Sequence, residues 1–336
     1  MYRMKQHDER QRLLDRIRHV DAASFDELAL EVFRYQAKYN EVYAAFLRLI
    51  GCEPKAVRQA DQIPHLPIAL FKTWLIQTGS WQPELVFTSS GTTGMVPSHH
   101  ALRNRAWYIE NAMRGFATHY GSPANYAWLA LLPAYLERQD SSLVFMADAF
   151  IRMSRFRESG FFLYELEEVA RRAQQLCAQG VPVILLGVSF ALLDLAEQCP
   201  VSLSGAIVME TGGMKGRRKE LIREALHERL QAAFGVPHIH SEYGMTELLS
   251  QAYAKKEGRF HPAPTMKVRA AQITDPLCYE RVGRPGTLCI TDLANIDTVS
   301  FIATEDVGRV YADGTFEVLG RLDRADIRGC NLMVSR

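Results

Sequence analysis

The sequence has no cysteine pair at CxxC spacing and no HExxH, which excludes a zinc ribbon, a thioredoxin-type motif and a metalloprotease helix. Its six cysteines stand far apart, at 52, 177, 199, 278, 289 and 330, a usage expected of packing thiols in a reduced, cytoplasmic protein. His240-Ser241-Glu242 has the HxE spacing of zinc deaminases, but the cysteine pair they need downstream is missing. Net charge is nearly absent too. The 39 basic and 38 acidic residues leave +1, which removes the electrostatic case for nucleic acid. No apolar run approaches the roughly 18 residues of a membrane span. The charged stretch from Met1 to Arg18 has no signal-peptide core. A Walker GxxxxGK[ST] loop, internal repeats and low-complexity segments are also lacking.

What is there is an ordinary globular composition, 48% hydrophobic and 23% charged over 336 residues, enough for one large or two ordinary domains. Leu13, Leu14, Ile17 and Val20 make a helical stripe. Ser24 with Glu27 predicts a capping box for a second helix bearing Leu28, Val32 and Tyr35, and a third helix is expected from Glu41 to Ile50, stopped by Gly51. Two prolines, Pro64 and Pro67, keep 63–71 extended. Beyond Glu84 strands and helices alternate. Apolar runs at 126–132, 181–186 and 205–209 read as buried strands, with helices expected over 160–178, around Leu192 to Leu195 and over 217–234. After about residue 265 short strands take over, and Asp313-Gly314 signals a hairpin.

Two segments could carry chemistry on their own. Thr88-Ser89-Ser90-Gly91-Thr92-Thr93-Gly94 packs five hydroxyls and two glycines behind an apolar run. Glycine turns amides inward and short hydroxyls add donors, which suits an anion, although such clusters are also common surface turns. Gly187-Val188-Ser189-Phe190-Ala191 has the placing of a nucleophile elbow. Its last glycine is alanine, however, and Asp194 is the sole aspartate between Ser189 and His261, so a strand-end turn is the better reading.

Ser89 to Gly94 resembles the signature loop of the adenylate-forming superfamily, which includes acyl-CoA synthetases, and three further segments follow in that family's order. Glu210-Thr211-Gly212-Gly213 matches the backbone that lies against adenine. Glu242-Tyr243-Gly244-Met245-Thr246-Glu247 is similar to the YGxTE motif. There the resemblance implies that Tyr243 stacks on adenine, Thr246 contacts the α-phosphate and Glu247 helps to hold Mg²⁺. Thr304 to Arg309 resembles the ribose segment, with Asp306 as diol acceptor and Glu305 where the family has glycine. Gly320-Arg321-Leu322-Asp323 resembles the hinge, whose Arg321 also reaches ribose. ATP and Mg²⁺ are the cofactors so implied. Pro97 stands where the signature loop normally has a basic residue, leaving Arg103, Arg105 and Lys215 as candidate phosphate cations.

The chain as a whole resembles the LuxE-type acyl-protein synthetases. It does so in the helical N-terminus, Leu66 to Lys72, Leu132 to Arg138, Thr211-Gly212-Gly213 and the terminal Arg328-Gly329-Cys330. That resemblance implies an α/β adenylate-forming fold lacking the mobile C-terminal domain. Residues 1–75 would form a helical segment on the main domain, 76–265 an ATP- and acyl-binding core, 266–325 a β-rich subdomain, and 326–336 a tail. It further implies activation of a carboxylic acid, with fatty acids the leading class, to acyl-AMP. The acyl group would then pass to Cys330 as a thioester for a reductase or carrier protein. Arg328 beside it would favour the thiolate. A CoA ligase resembling phenylacetate-CoA ligase, and a non-catalytic acyl- or nucleotide-binding subunit, remain open alternatives. The acyl group itself is expected among apolar residues of 126–150 and 205–250.

Overall fold

The computed structural model describes residues 2–89, 96–133, 140–212 and 221–322, and every helix and strand named belongs to those residues. Three helices open the chain: α1 (Tyr2–Arg18), α2 (Phe25–Tyr39) and α3 (Glu41–Leu49). The predicted stripes of α1 and α2 are buried, because side chains three and four apart share one helix face. Asn40 closes α2 and caps α3 by accepting the Tyr43 amide, and Gly51 ends that helical hairpin at φ 68°. Ser24 does not form the expected capping box. Its hydroxyl donates to Asp21 Oδ1 at 2.6 Å, a local bond that competes with capping.

Strand β1 (Leu66–Pro67) comes next, then the antiparallel hairpin of β2 (Leu85–Thr88) and β3 (His99–Leu102). Alternation follows through α4 (Arg105–Tyr120), β4 (Ala127–Leu131), α5 (Ser142–Met153), β5 (Gly160–Phe162) and α6 (Leu166–Ala178). It continues with β6 (Val183–Val188), α7 (Ser189–Gln198), β7 (Ile207–Thr211), α8 (Arg223–Phe234), β8 (His240–Tyr243), β9 (Ala252–Ala254) and β10 (His261–Pro262). These strands make one sheet in the order β10-β9-β8-β7-β6-β4-β5, parallel from β8 to β5 and antiparallel at its other end. Strands β4 and β6 are buried at every position, as helix-covered parallel strands must be. Residues 160–162 correct the expectation of helix there. Gly160-Phe161-Phe162 pairs with the edge of β4, and helix begins only at Leu166.

A second sheet is built from β11 (Met266–Ala271), β12 (Pro285–Asp292), β13 (Phe301–Val310) and β14 (Phe316–Arg321), with β1 alongside β13. The Asp313-Gly314 turn joins β13 to β14 as predicted, with Gly314 at φ 80°. The N-terminal segment is therefore not only a helical shelf, since Leu66 and Pro67 contribute a strand to this sheet.

Between β12 and β13 the chain is irregular, yet each residue from Asp292 to Ser300 is buried. Irregular backbone in a core needs partners for its polar groups, and in this protein the partners come from the N-terminal helices. Gln36 donates to the Asn295 carbonyl at 3.0 Å and accepts the Ser300 amide at 2.9 Å, while Asn40 donates to the Thr298 carbonyl at 2.8 Å. Arg10 donates through Nε and Nη2 to both oxygens of Asp297, each at 2.6 Å, and Arg103 adds a third bond at 3.2 Å. Removing Asp297 strands two guanidinium groups at a buried site. Asp297→Ala is therefore expected to lower the free energy of unfolding by about 3–5 kcal/mol; a loss below about 1 kcal/mol in urea titration would contradict this bracing role.

Candidate active site

The described ends of the Ser/Thr/Gly loop sit at the top of the β2–β3 hairpin. The Thr88 amide donates to the Asp140 carbonyl at 3.0 Å. The Ser89 amide donates to the Ser98 carbonyl at 3.0 Å, and the Ser98 amide donates to Ser89 Oγ at 2.8 Å, which clamps the loop's two ends together. Ser90, Gly91, Thr92, Thr93 and Gly94 lie outside the described residues, as do Gly213, Lys215 and Cys330.

The other motifs arrive at the same place on neighbouring strand ends. Thr211, the last residue of β7, lies opposite Glu242 on β8, and its hydroxyl donates to Glu242 Oε2. Tyr243, which ends β8, packs against Phe260 and Phe316 with ring centroids 5.7 and 5.4 Å away. Its hydroxyl donates to Asp306 Oδ2 at 2.8 Å. Asp306 on β13 faces Arg321 on β14 across the ladder, and Arg321 Nη2 donates to Glu305 Oε2 at 3.4 Å. Asp306, the expected diol acceptor, is thus engaged by the tyrosine expected to hold the base. Glu305, the departure from the family pattern, takes up the arginine.

Thr246 and Glu247 are set by side chains that no sequence motif singles out. His100 Nδ1 lies 2.7 Å from the Thr246 carbonyl, which can only accept, so this nitrogen carries the proton. Nε2 then accepts from the Thr298 hydroxyl at 3.0 Å. Burial lowers His100 to about 4, which keeps the ring neutral and this tautomer fixed. Asn295 Nδ2 donates to the Glu247 carbonyl at 2.8 Å, and Ser98 hydrogen-bonds the Glu247 carboxyl. Nothing in the local pattern of His99-His100-Ala101-Leu102 distinguishes His100 from an ordinary inward strand residue.

Charge is managed oppositely on the two faces of the sheet. Glu210 faces α8, with Arg223 Nε 4.0 Å and His227 Nε2 3.6 Å from its Oε1. Burial pushes its carboxyl up, but His227, Arg223 and Ser241 outweigh that and hold it below the usual range. Glu242 faces the other way. Burial, with the like charge of Glu210, raises it to about 7 against the pull of the Thr211 hydroxyl. Glu247 and Asp306 are also raised, first by burial.

Several expectations need correcting. Arg103 is committed to Asp297 and is not free to neutralise phosphate, while exposed Arg105 donates to the Glu84 carbonyl at 3.0 Å. Ser189 is buried, and its hydroxyl donates to the Gly212 carbonyl at 2.7 Å. It ties down the turn after β7, in keeping with the strand-end turn preferred from the sequence. Cys289 is buried and raised to about 12, as a packing thiol should be, whereas Cys278 is exposed on the 272–284 loop. A surface cavity lined by Pro133, Leu163, Tyr164, Phe190 and Asp194 contains none of Thr211, Glu242, Tyr243, Glu247, Asp306 and Arg321.

The raised Glu242 gives a pH test. Its folded value, about 7 against 4.5, means its contribution to stability is complete below 4.5 and lost as pH rises through 7. Glu242→Gln does not suffer that loss. The stability of the variant relative to the wild type should therefore rise by on the order of 3 kcal/mol over that window; a pH-independent difference would contradict the assignment.

No protein-family model matches the chain, and no curated protein matches its sequence. Solved structures do. The structure of 2-hydroxyisobutyryl-CoA ligase with 2-HIB-AMP and CoA, in its thioesterification state, aligns with TM-score 0.65 at 15% identity, over 92% of this chain and 71% of that one. ATP-bound MatB from Rhodopseudomonas palustris aligns with TM-score 0.53 at 17% identity, over 72% of this chain and 49% of that one. The chain spans about half the length of the MatB structures it matches. The fold of this protein is the α/β fold of the adenylate-forming ligases, with a helical N-terminal segment and a β-rich part.

Proposed function

We propose that this protein activates a carboxylic acid with ATP as an acyl adenylate and passes the acyl group to a thiol. The observation that carries the reading is the convergence of four sequence-distant segments. Ser89 is bonded to Ser98, which reaches Glu247, Thr211 meets Glu242, and Tyr243 meets Asp306 opposite Arg321.

In the first step a carboxylate oxygen of the acid attacks the α-phosphorus, the bond to the bridging oxygen breaks, and pyrophosphate leaves with the electron pair. Thr88 to Gly94 supply hydroxyls and amides for the phosphates, and Thr246 donates to the α-phosphate as charge grows there. Gly212, Gly213 and Gly244 present bare backbone to the base and the acyl group. Asp306 and Arg321 take the ribose once Tyr243 releases Asp306. Glu247 suits Mg²⁺. Its carboxyl is 5% exposed and raised by burial, so it gains from a cation, and one carboxylate with substrate phosphates is a common way of holding that ion. Among the described residues no cluster of three or more His, Cys, Asp or Glu could hold a metal ion. Mg²⁺ so bound would neutralise phosphate oxygens as a Lewis acid.

In the second step a thiolate attacks the acyl carbon, AMP leaves, and the thiol proton passes to water. Likeness to a CoA ligase with CoA bound favours CoA as the acceptor. The LuxE-type resemblance favours Cys330, with a reductase or carrier protein collecting the thioester. No helix among the described residues is long and apolar enough to cross a membrane.

Acid-dependent ATP–pyrophosphate exchange is the expected activity, and Glu247→Gln should reduce it about 10²–10³-fold. Absence of exchange across a panel of carboxylic acids would support a non-catalytic binding subunit instead. With exchange present, a hydroxylamine-sensitive label on wild type but not on Cys330→Ser supports the protein thioester. Acyl-CoA formed equally well by both supports the ligase.

A further inference from the structure

The face of the main sheet that carries Glu242 holds more polar groups than the proposed chemistry uses. Thr211, Glu242 and Tyr253 lie opposite one another across β7, β8 and β9, so their side chains project from one face. Gln251, two residues before Tyr253, projects the same way. Glu242 Oε2 accepts from Thr211, but the Tyr253 hydroxyl and Gln251 Oε1 are buried with no hydrogen-bond partner. Glu242, Gln251 and Tyr253 are 7%, 2% and 1% exposed, and bulk water does not reach Gln251 Oε1 or the Tyr253 hydroxyl.

Gly244 opens this group to the cleft. It is exposed, and a Cβ built on it would lie 2.5 Å from Glu242 Oε1 and 3.5 Å from Gln251 Cγ. The carboxyl of Glu242 and the side chain of Gln251 therefore meet over the bare backbone of Gly244, on the wall between the adenylate motifs and the aromatic core. Tyr253 closes the inner end, its ring 5.7 Å from Phe116 and 5.6 Å from Tyr120.

Resting on the function proposed above, we propose that the acid activated by this protein carries a second hydrogen-bond-donor group, an amino or hydroxyl substituent, received by Glu242 Oε1 and Gln251 Oε1 with the Tyr253 hydroxyl. Gln251 Oε1 is a buried acceptor without a partner, Glu242 Oε1 lies on the same side of Gly244, and an acceptor left unpaired in a buried site asks for a donor. A plain alkyl chain laid against them would desolvate a carboxyl and an amide oxygen and return nothing. The raised affinity of Glu242 for its proton has the same origin, a carboxyl buried with the Thr211 hydroxyl as its donor and no cation beside it.

The test is pyrophosphate exchange with hexanoate, 2- and 6-hydroxyhexanoate, and 2- and 6-aminohexanoate, on wild type, Glu242→Leu, Gln251→Met and Tyr253→Phe. Melting curves with and without ATP establish that each variant is folded. A site built to pair a donor rejects the analogue lacking it strongly. At least one hydroxy or amino acid should therefore exceed hexanoate by about 100-fold in kcat/KM on wild type. Glu242→Leu should erase or invert that ratio, and Gln251→Met and Tyr253→Phe should each narrow it. Hexanoate used as well as all four substituted acids on wild type overturns the inference and leaves the adenylation reading standing, as does a ratio unmoved by all three variants. No exchange with any of the five acids overturns both.

Discussion

The nine buried residues from Asp292 to Ser300 carry the site. Asp292 accepts the Leu249 and Ser250 amides at 2.8 and 2.9 Å, which fixes the chain just after Glu247. Asn295 and Thr298 then hold the Glu247 carbonyl and the His100 ring, and His100 holds the Thr246 carbonyl. The same stretch is held from behind by Gln36, Asn40 and Arg10. One irregular strap, satisfied by partners from the N-terminal helices, from His100 and Arg103 and from 247–250, therefore sets the position of Thr246 and Glu247. It also explains why the N-terminal helices are more than packing.

Burial without neutralisation is the second theme. Glu242, Glu247 and Asp306 are each moved toward the protonated form chiefly by desolvation, while Glu210 on the opposite face is held ionised by Arg223 and His227. The difference is one of supply. Behind the sheet Arg223 and His227 outweigh burial, whereas on the other side Arg321 eases Glu247 and Asp306 without outweighing it. A nucleotide with its metal ion, and an acid with a donor group, would each relieve part of that deficit.

Much of this was legible in the sequence where one residue type has one physical use. The buried strands at 126–132 and 181–186 follow from unbroken apolar runs, and the β13–β14 hairpin from Asp313-Gly314. Thr211, Glu242, Tyr243, Glu247, Asp306 and Arg321 stand near one another as the motif order suggests. The misses have local causes. Gly160-Phe161-Phe162 is strand because β4 has a free edge there, which no local pattern announces. Arg103 was a candidate phosphate ligand until Asp297, 194 residues away, claimed it. His100 and Asn295 act through bonds to backbone carbonyls, and such roles leave no spacing to read.

The claim on which everything else rests is cleavage of ATP between the α- and β-phosphates with the acid as nucleophile. Incubation with α-labelled ATP and a carboxylic-acid panel, followed by separation of the nucleotide products, tests it most directly. Acid-dependent release of labelled AMP together with pyrophosphate is predicted. Labelled ADP with inorganic phosphate, or AMP formed at the same rate without acid, would contradict it.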